Sequence, residues 1–191
     1  MNNKLDYKNK VIQYWIDELP EIKIENTLNE RVTLEVLNNN QYKKEIYAIA
    51  LEIYLHRTAS NYGLLGLKYI PNHVENEINA SIYYTNNNSL NYKSILRVER
   101  SNEYIYSGIP RFYLAGILET LKNYLKNNKD FVGGELIISV GTNCEVGSSD
   151  HIFSILTEML LEILFEMRNG IPSTIHEADK IVEQVFLNKS L

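Results

Sequence analysis

Hydrophobic positions along the chain follow two periods, and the first stretch is read as helical. Residues 6–19 place Val11, Ile12, Trp15, Ile16 and Leu19 on one helical face. Pro20 ends that helix, because the residue before a proline is pushed out of the helical region. Residues 31–37 alternate instead, Val32, Leu34 and Val36 against Thr33 and Glu35, which predicts a half-buried strand. The asparagines at 38–40 predict a turn. A second helix is expected over 41–58, with Ile46, Ile49, Ala50, Ile53 and Tyr54 as its buried stripe. A short strand follows through Leu67, Tyr69 and Ile70, closed by Pro71.

Beyond residue 76 the alternation is cleaner. Residues 77–85 and 92–98 are expected to form a hairpin around the polar turn 86–91, with a third short strand at 104–108. Pro110 opens a helix whose stripe is Leu114, Ile117, Leu118, Leu121 and Leu125. Gly133 and Gly134 turn the chain into a strand at 135–140, where Leu136, Ile138 and Val140 share one face. A loop at 141–149 then leads to the most apolar helix, 150–168, broken only by a strip of Ser154, Glu158, Glu162 and Glu166. Such a helix has to be covered on most sides. Thr174 and Glu177 form a capping box for a last helix to about 187.

These elements predict an α+β or α/β fold, a mixed and largely antiparallel sheet with helices packed on it. Residues 1–75 are expected as a helix-strand-helix region on the same core, and 76–191 as the second region.

Composition narrows the functional classes. Hydrophobic residues make up 45% of the 191, enough for a core without metal or disulfide. A net charge of -5 and the lack of any basic run argue against binding free DNA. One cysteine, Cys144, excludes an intramolecular disulfide and fits a reducing cytoplasm. The apolar helix carries too many acidic residues to cross a membrane.

Three segments carry a resemblance. Gly108-Ile109-Pro110 is followed by Phe112 and a helix. Phe131-Val132-Gly133-Gly134-Glu135-Leu136-Ile137-Ile138 enters a strand. Cys144-Glu145-Val146-Gly147-Ser148-Ser149-Asp150-His151-Ile152-Phe153 starts a helix. In this order, residues 78–168 resemble domain IV of elongation factor G and the related ribosomal protection factors. The resemblance implies a βαβ fold of the ribosomal-protein type with a left-handed crossover, and a tip that enters the decoding region of the small ribosomal subunit. The matching tip is the loop 141–147 with the turn 86–91. Cys144 and Gly147 stand where the family carries a histidine and an aspartate, and the turn lacks the family's arginines. No glycine-lysine GTP loop occurs in the sequence.

The candidate binding residues are accordingly Asn86, Asn87, Asn88, Asn91, Thr142, Asn143, Cys144, Glu145, Ser148 and Ser149. No catalytic residue, metal ligand or cofactor is assigned. The four histidines are too far apart in sequence to form a metal pair, and Cys144 lacks an evident base held by a third group. Ser148, Ser149 and Asp150 fit a helix cap better than an anion site. The expectation is a non-enzymatic macromolecule-binding protein whose partner is the ribosome, a translation factor or another protein. An immunity-type module or a homodimer packed through the apolar helix is the alternative.

Overall fold

A computed structural model describes residues 1–7, 10–25, 27–36, 42–55, 61–86, 89–92, 94, 96, 104–128 and 131–189, with backbone alone at 89–91. One mixed sheet runs through the molecule. Its strands are β1 Asn2–Tyr7, β2 Lys10–Ile16, β3 Leu28–Glu35, β4 Tyr47–Leu55, β5 Asn61–Pro71, β6 Glu77–Tyr84, β7 Ser89–Asn91, β8 Ile105–Ser107 and β9 Gly134–Cys144. The order across the sheet is β1-β2-β4-β5-β9-β6-β3, with β8 on the far end of β9 and β7 beside β8. Every named strand pair is antiparallel except β6 with β9, and helix α1, Leu114–Asn127, lies in the connection between those two. With α2, Asp150–Glu166, and α3, Ile175–Leu187, it covers one face. The architecture is α+β.

Two expected helices are strands. Residues 10–16 are Val, Ile, Tyr or Trp at five of seven positions, residues 47–55 are Ala, Ile, Leu or Tyr everywhere but Glu52, and almost all are buried. Both faces of these central strands are covered, so polar alternation vanishes and the run mimics a helical stripe. Enrichment in β-branched and aromatic residues is the property that decides such a run. The N-terminal region is therefore built from five strands, β1 to β5. The turn expected at 38–40 and His56 lie outside the described residues.

The expected hairpin of 77–85 with 92–98 does not form. β6 takes β3 and β9 as neighbours, and the described residues Tyr92, Ser94 and Leu96 belong to no strand. The short strand expected at 104–108 is β8, and the three helices in the second half form where expected. Ser149 caps α2 by accepting from the Ile152 amide at 3.3 Å, and Thr174 caps α3 by accepting from the Glu177 amide at 3.2 Å. Glu177 reaches back to the Ser173 amide at 2.8 Å, completing the box one residue early.

α2 buries ten side chains, Ile152 to Leu164, against α1, α3, β4 and β5. Its apolar surface is used inside the chain, which removes it as the face of a dimer. Glu158 and Glu162 of its polar strip both pair with Lys189, at 3.1 and 2.7 Å. The helix face of the sheet is closed by Tyr69, whose hydroxyl donates to the Val132 carbonyl at 2.6 Å, and by Phe153 stacked on Tyr113 at 4.5 Å. β9 enters through Gly133 and Gly134. A side chain on Gly133 would lie 2.2 Å from the Glu75 carbonyl oxygen, and Gly134 has φ of 139°.

Candidate functional site

The far face of the sheet, away from the helices, is decided by a bulge. Leu67 pairs with Ile138, but the next residue of β5, Gly66, pairs with Val140, so β9 carries one extra residue. A bulge of this kind reverses the alternation beyond it. Leu136 and Ile138 face the helices as expected, whereas Val140 turns to the far face and packs with Trp15, Ala50 and Leu64. Thr142 and Cys144 follow Val140 to that face.

There they meet a polar network buried in an apolar setting. Tyr62 lies diagonal to both Glu52 and Thr142. Its hydroxyl donates to Glu52 Oε1 at 2.7 Å and accepts from the Thr142 hydroxyl at 2.7 Å. The Ser94 hydroxyl donates to the same Glu52 oxygen. Gln13, directly opposite Glu52 across β2 and β4, is buried as well. Glu52 is fully buried, and its Oε2 has no hydrogen-bond partner among the described residues. Burial pushes the Glu52 carboxyl up, with the two hydroxyl donors opposing the shift. Burial and the adjacent Glu52 push Tyr62 and Tyr92 up in turn.

The residues expected at an exposed tip divide. Thr142, Asn143 and Cys144 are buried in β9, paired with β8 and not looped into solvent. Asn143 Nδ2 donates to the Gly108 carbonyl at 3.2 Å. Ser148 accepts from the Cys144 amide at 2.8 Å and donates to the Tyr62 carbonyl at 2.7 Å, which staples the turn to β5. Ser149 is the α2 cap. Glu145 is exposed, as is Asn86; Asn87 and Asn88 lie outside the described residues, as does the Asn91 side chain. Where the tip loop 141–147 is expected the structure has a buried strand end and a stapled turn, and of the other expected tip segment, 86–91, residues 87 and 88 lie outside the described residues. The physical cause is the extension of β9 to Cys144, which β8 pairs and the bulge turns inward.

The segment 17–25, through Leu19 and Ile22, and Tyr92 cover the far face over β2, β4 and β5. Over β3, β6 and the start of β9 the face is exposed at Arg31, Thr33, Asn79 and Glu135 and half-exposed at Ser81 and Tyr83. A groove of about 410 Å³ lies there, lined chiefly by Arg31, Thr33, Asn79, Ser81, Tyr83 and Glu135. Two cross-strand rows build it: Arg31, Ser81 and Ile137, continued by Lys68 on β5, and Thr33, Asn79 and Glu135. Thr33 donates to Asn79 at 2.9 Å, so the floor is partly preorganised.

No family model, curated protein or solved structure matches the chain.

What the groove offers is therefore judged on its own side chains. It presents hydroxyls, an amide, a guanidinium and a carboxylate on three adjacent strands. Among the described residues no three of His, Cys, Asp and Glu cluster as metal ligands. Cys144 is buried, while His151 is exposed on the first turn of α2. In the sequence the groove residues belong to the polar sides of the 31–37 and 77–85 alternations, together with Glu135 at the start of the 135–140 strand. Glu52, a lone carboxylate in the apolar run 47–55, was the one available sign of the buried network.

Proposed function

We propose that the chain is a non-enzymatic binding protein that takes a partner protein on the open far face of its sheet. The observation that carries this reading is the groove itself. Concave, polar and set on three adjacent strands, it is the part of the sheet that neither helices nor the segment 17–25 cover. Tyr83 and Arg31 belong to the residue types enriched in interface hot spots. Arg31 and Lys68 stand at opposite ends of one row, about 14 Å apart at three strand spacings, with Glu135 between them in the neighbouring row. That charge pattern favours a partner presenting carboxylates at both margins of its contact.

A ribosomal attachment is the second reading, favoured by the parallel β6 and β9 with α1 between them, the arrangement the resemblance implies. Its contacts would have to come from Glu145, Val146 and Asn86, since Thr142 to Cys144 are enclosed.

One capture experiment separates the two. Tagged protein from the native cell should retain a partner that Ser81→Arg, which fills the groove, releases and that Val146→Asp leaves bound. The reverse pattern, with co-sedimentation on ribosomal subunits, moves the site to the 145–149 turn. A wild-type chain that retains nothing rejects both.

A further inference from the structure

The seven-strand order ends in β1 and β3, and these two edges are finished differently. At the β1 edge Lys4 and Asp6 bridge each other at 3.7 Å, Asn3 bonds to Asp179 of α3 at 2.9 Å, and the terminal ammonium is paired with Glu18 at 2.9 Å. At the β3 edge nothing comparable exists among the described residues. β3 pairs with β6 on one side only. Leu28 is exposed, Val32 and Leu34 are half-buried, and Arg31 and Glu35 are exposed with no ion-pair partner among the described residues. An eight-residue edge of this kind presents a row of free N–H and C=O groups that templates another strand.

The sequence of β3 says which strand fits. We propose that β3 pairs antiparallel with β3 of a second copy, about a two-fold axis at Thr33. In that register Arg31 lies opposite Glu35 of the other copy, twice, on the far face. Val32 lies opposite Leu34, twice, on the helix face, where each pair extends the apolar layer. Both faces are satisfied by one alignment. Centring on Val32 leaves Arg31 opposite Thr33, and centring on Arg31 sets the two guanidiniums against each other. Facing opposite charges stabilise a cross-strand pair and facing like charges destabilise it, so the charges select the register. The contact is isologous and closes on itself, which limits assembly to a dimer. Because Arg31 and Thr33 also line the groove, dimerisation joins two grooves across the axis. The dimer is argued from the β3 edge alone, and in it the Arg31 guanidinium at the groove margin meets Glu35 of the other copy.

Light scattering and sedimentation over a concentration series test it. Wild type is expected to reach a dimer. Arg31→Glu and Glu35→Arg each convert two attractive contacts into two repulsive ones and should weaken self-association by at least about tenfold. Mixed one to one, the two variants should regain the dimer, because the carboxylate introduced at 31 then faces the guanidinium introduced at 35 and the native pair completes the set. Recovery on mixing also shows that neither variant was misfolded. A wild type that stays monomeric across the series overturns the proposal. So do single variants that associate as tightly as wild type, or a mixture that stays monomeric.

Discussion

The two faces of this sheet are built on different physical terms. Under the helices lies a single apolar cluster running from Ile12 to Phe186, in which Tyr14 anchors its hydroxyl on Asp179 at 2.7 Å and Tyr69 on the Val132 carbonyl, while the Tyr42 hydroxyl is buried without a hydrogen-bond partner among the described residues. On the far face a polar network sits beneath a thin cover at one end, and open polar strand surface lies at the other. Stability is concentrated on the first face and chemistry on the second. A sheet covered on one side by helices and on the other by a single chain segment can carry both, because the buried apolar area under the helices leaves the far face free to hold groups that fold poorly.

The largest effect that would break this contrast is on the helix face. Phe153 is fully buried and stacked on Tyr113. Phe153→Ala should cost about 3–5 kcal/mol in urea denaturation. A loss below about 1 kcal/mol would show that the helix layer is not what holds the fold.

The next test is the pH dependence of the far face. Burial raises the Glu52 carboxyl above its ordinary value of 4.5, so the folded chain keeps a proton that the unfolded chain has released. The resulting stabilisation is complete below pH 4.5 and is lost as pH rises from there to the folded value, after which the slope vanishes. Wild type measured against Glu52→Gln should therefore lose relative stability upward from about pH 4.5. A difference that stays flat with pH would mean that water reaches the carboxyl and that the network is not enclosed.

The smallest effect sharpens the reading of the 145–149 turn. Ser149→Ala should cost about 1 kcal/mol through the lost α2 cap, with capture of the groove's partner unchanged. Loss of partner with intact stability would restore Ser149 to a binding role.

How much of this was legible in the sequence depended on whether an element has one solvent side. α1, α2 and α3 were readable because their polar strips survive, and β3 and β6 because one face alternates with solvent. β2 and β4 were not, since cover on both faces erased the period that distinguishes strand from helix. The site suffered from a different cause. Val140 and Thr142 follow the bulge, and a one-residue insertion in pairing leaves no mark in the alternation of β9 by itself. Asn143 and Cys144 looked like loop residues because the groups that hold this strand end, the Gly108 carbonyl for the Asn143 side chain and the Ser148 hydroxyl for the Cys144 amide, lie 35 and 4 residues away.

β9 has one further consequence, for how the molecule comes into being. It alone joins β5 to β6, and it is made after all the other strands. Without β9 the strand pairs of residues 1–133 fall into three separate sets, β1-β2-β4-β5, β6-β3 and β7-β8, the first two each with an inner edge that only β9 fills. Insertion of the last strand is a wedge-like closure between sequence-distant partners, the kind of contact that makes folding slow. A chain cut short before residue 134 lacks the strand that joins these sets into one sheet.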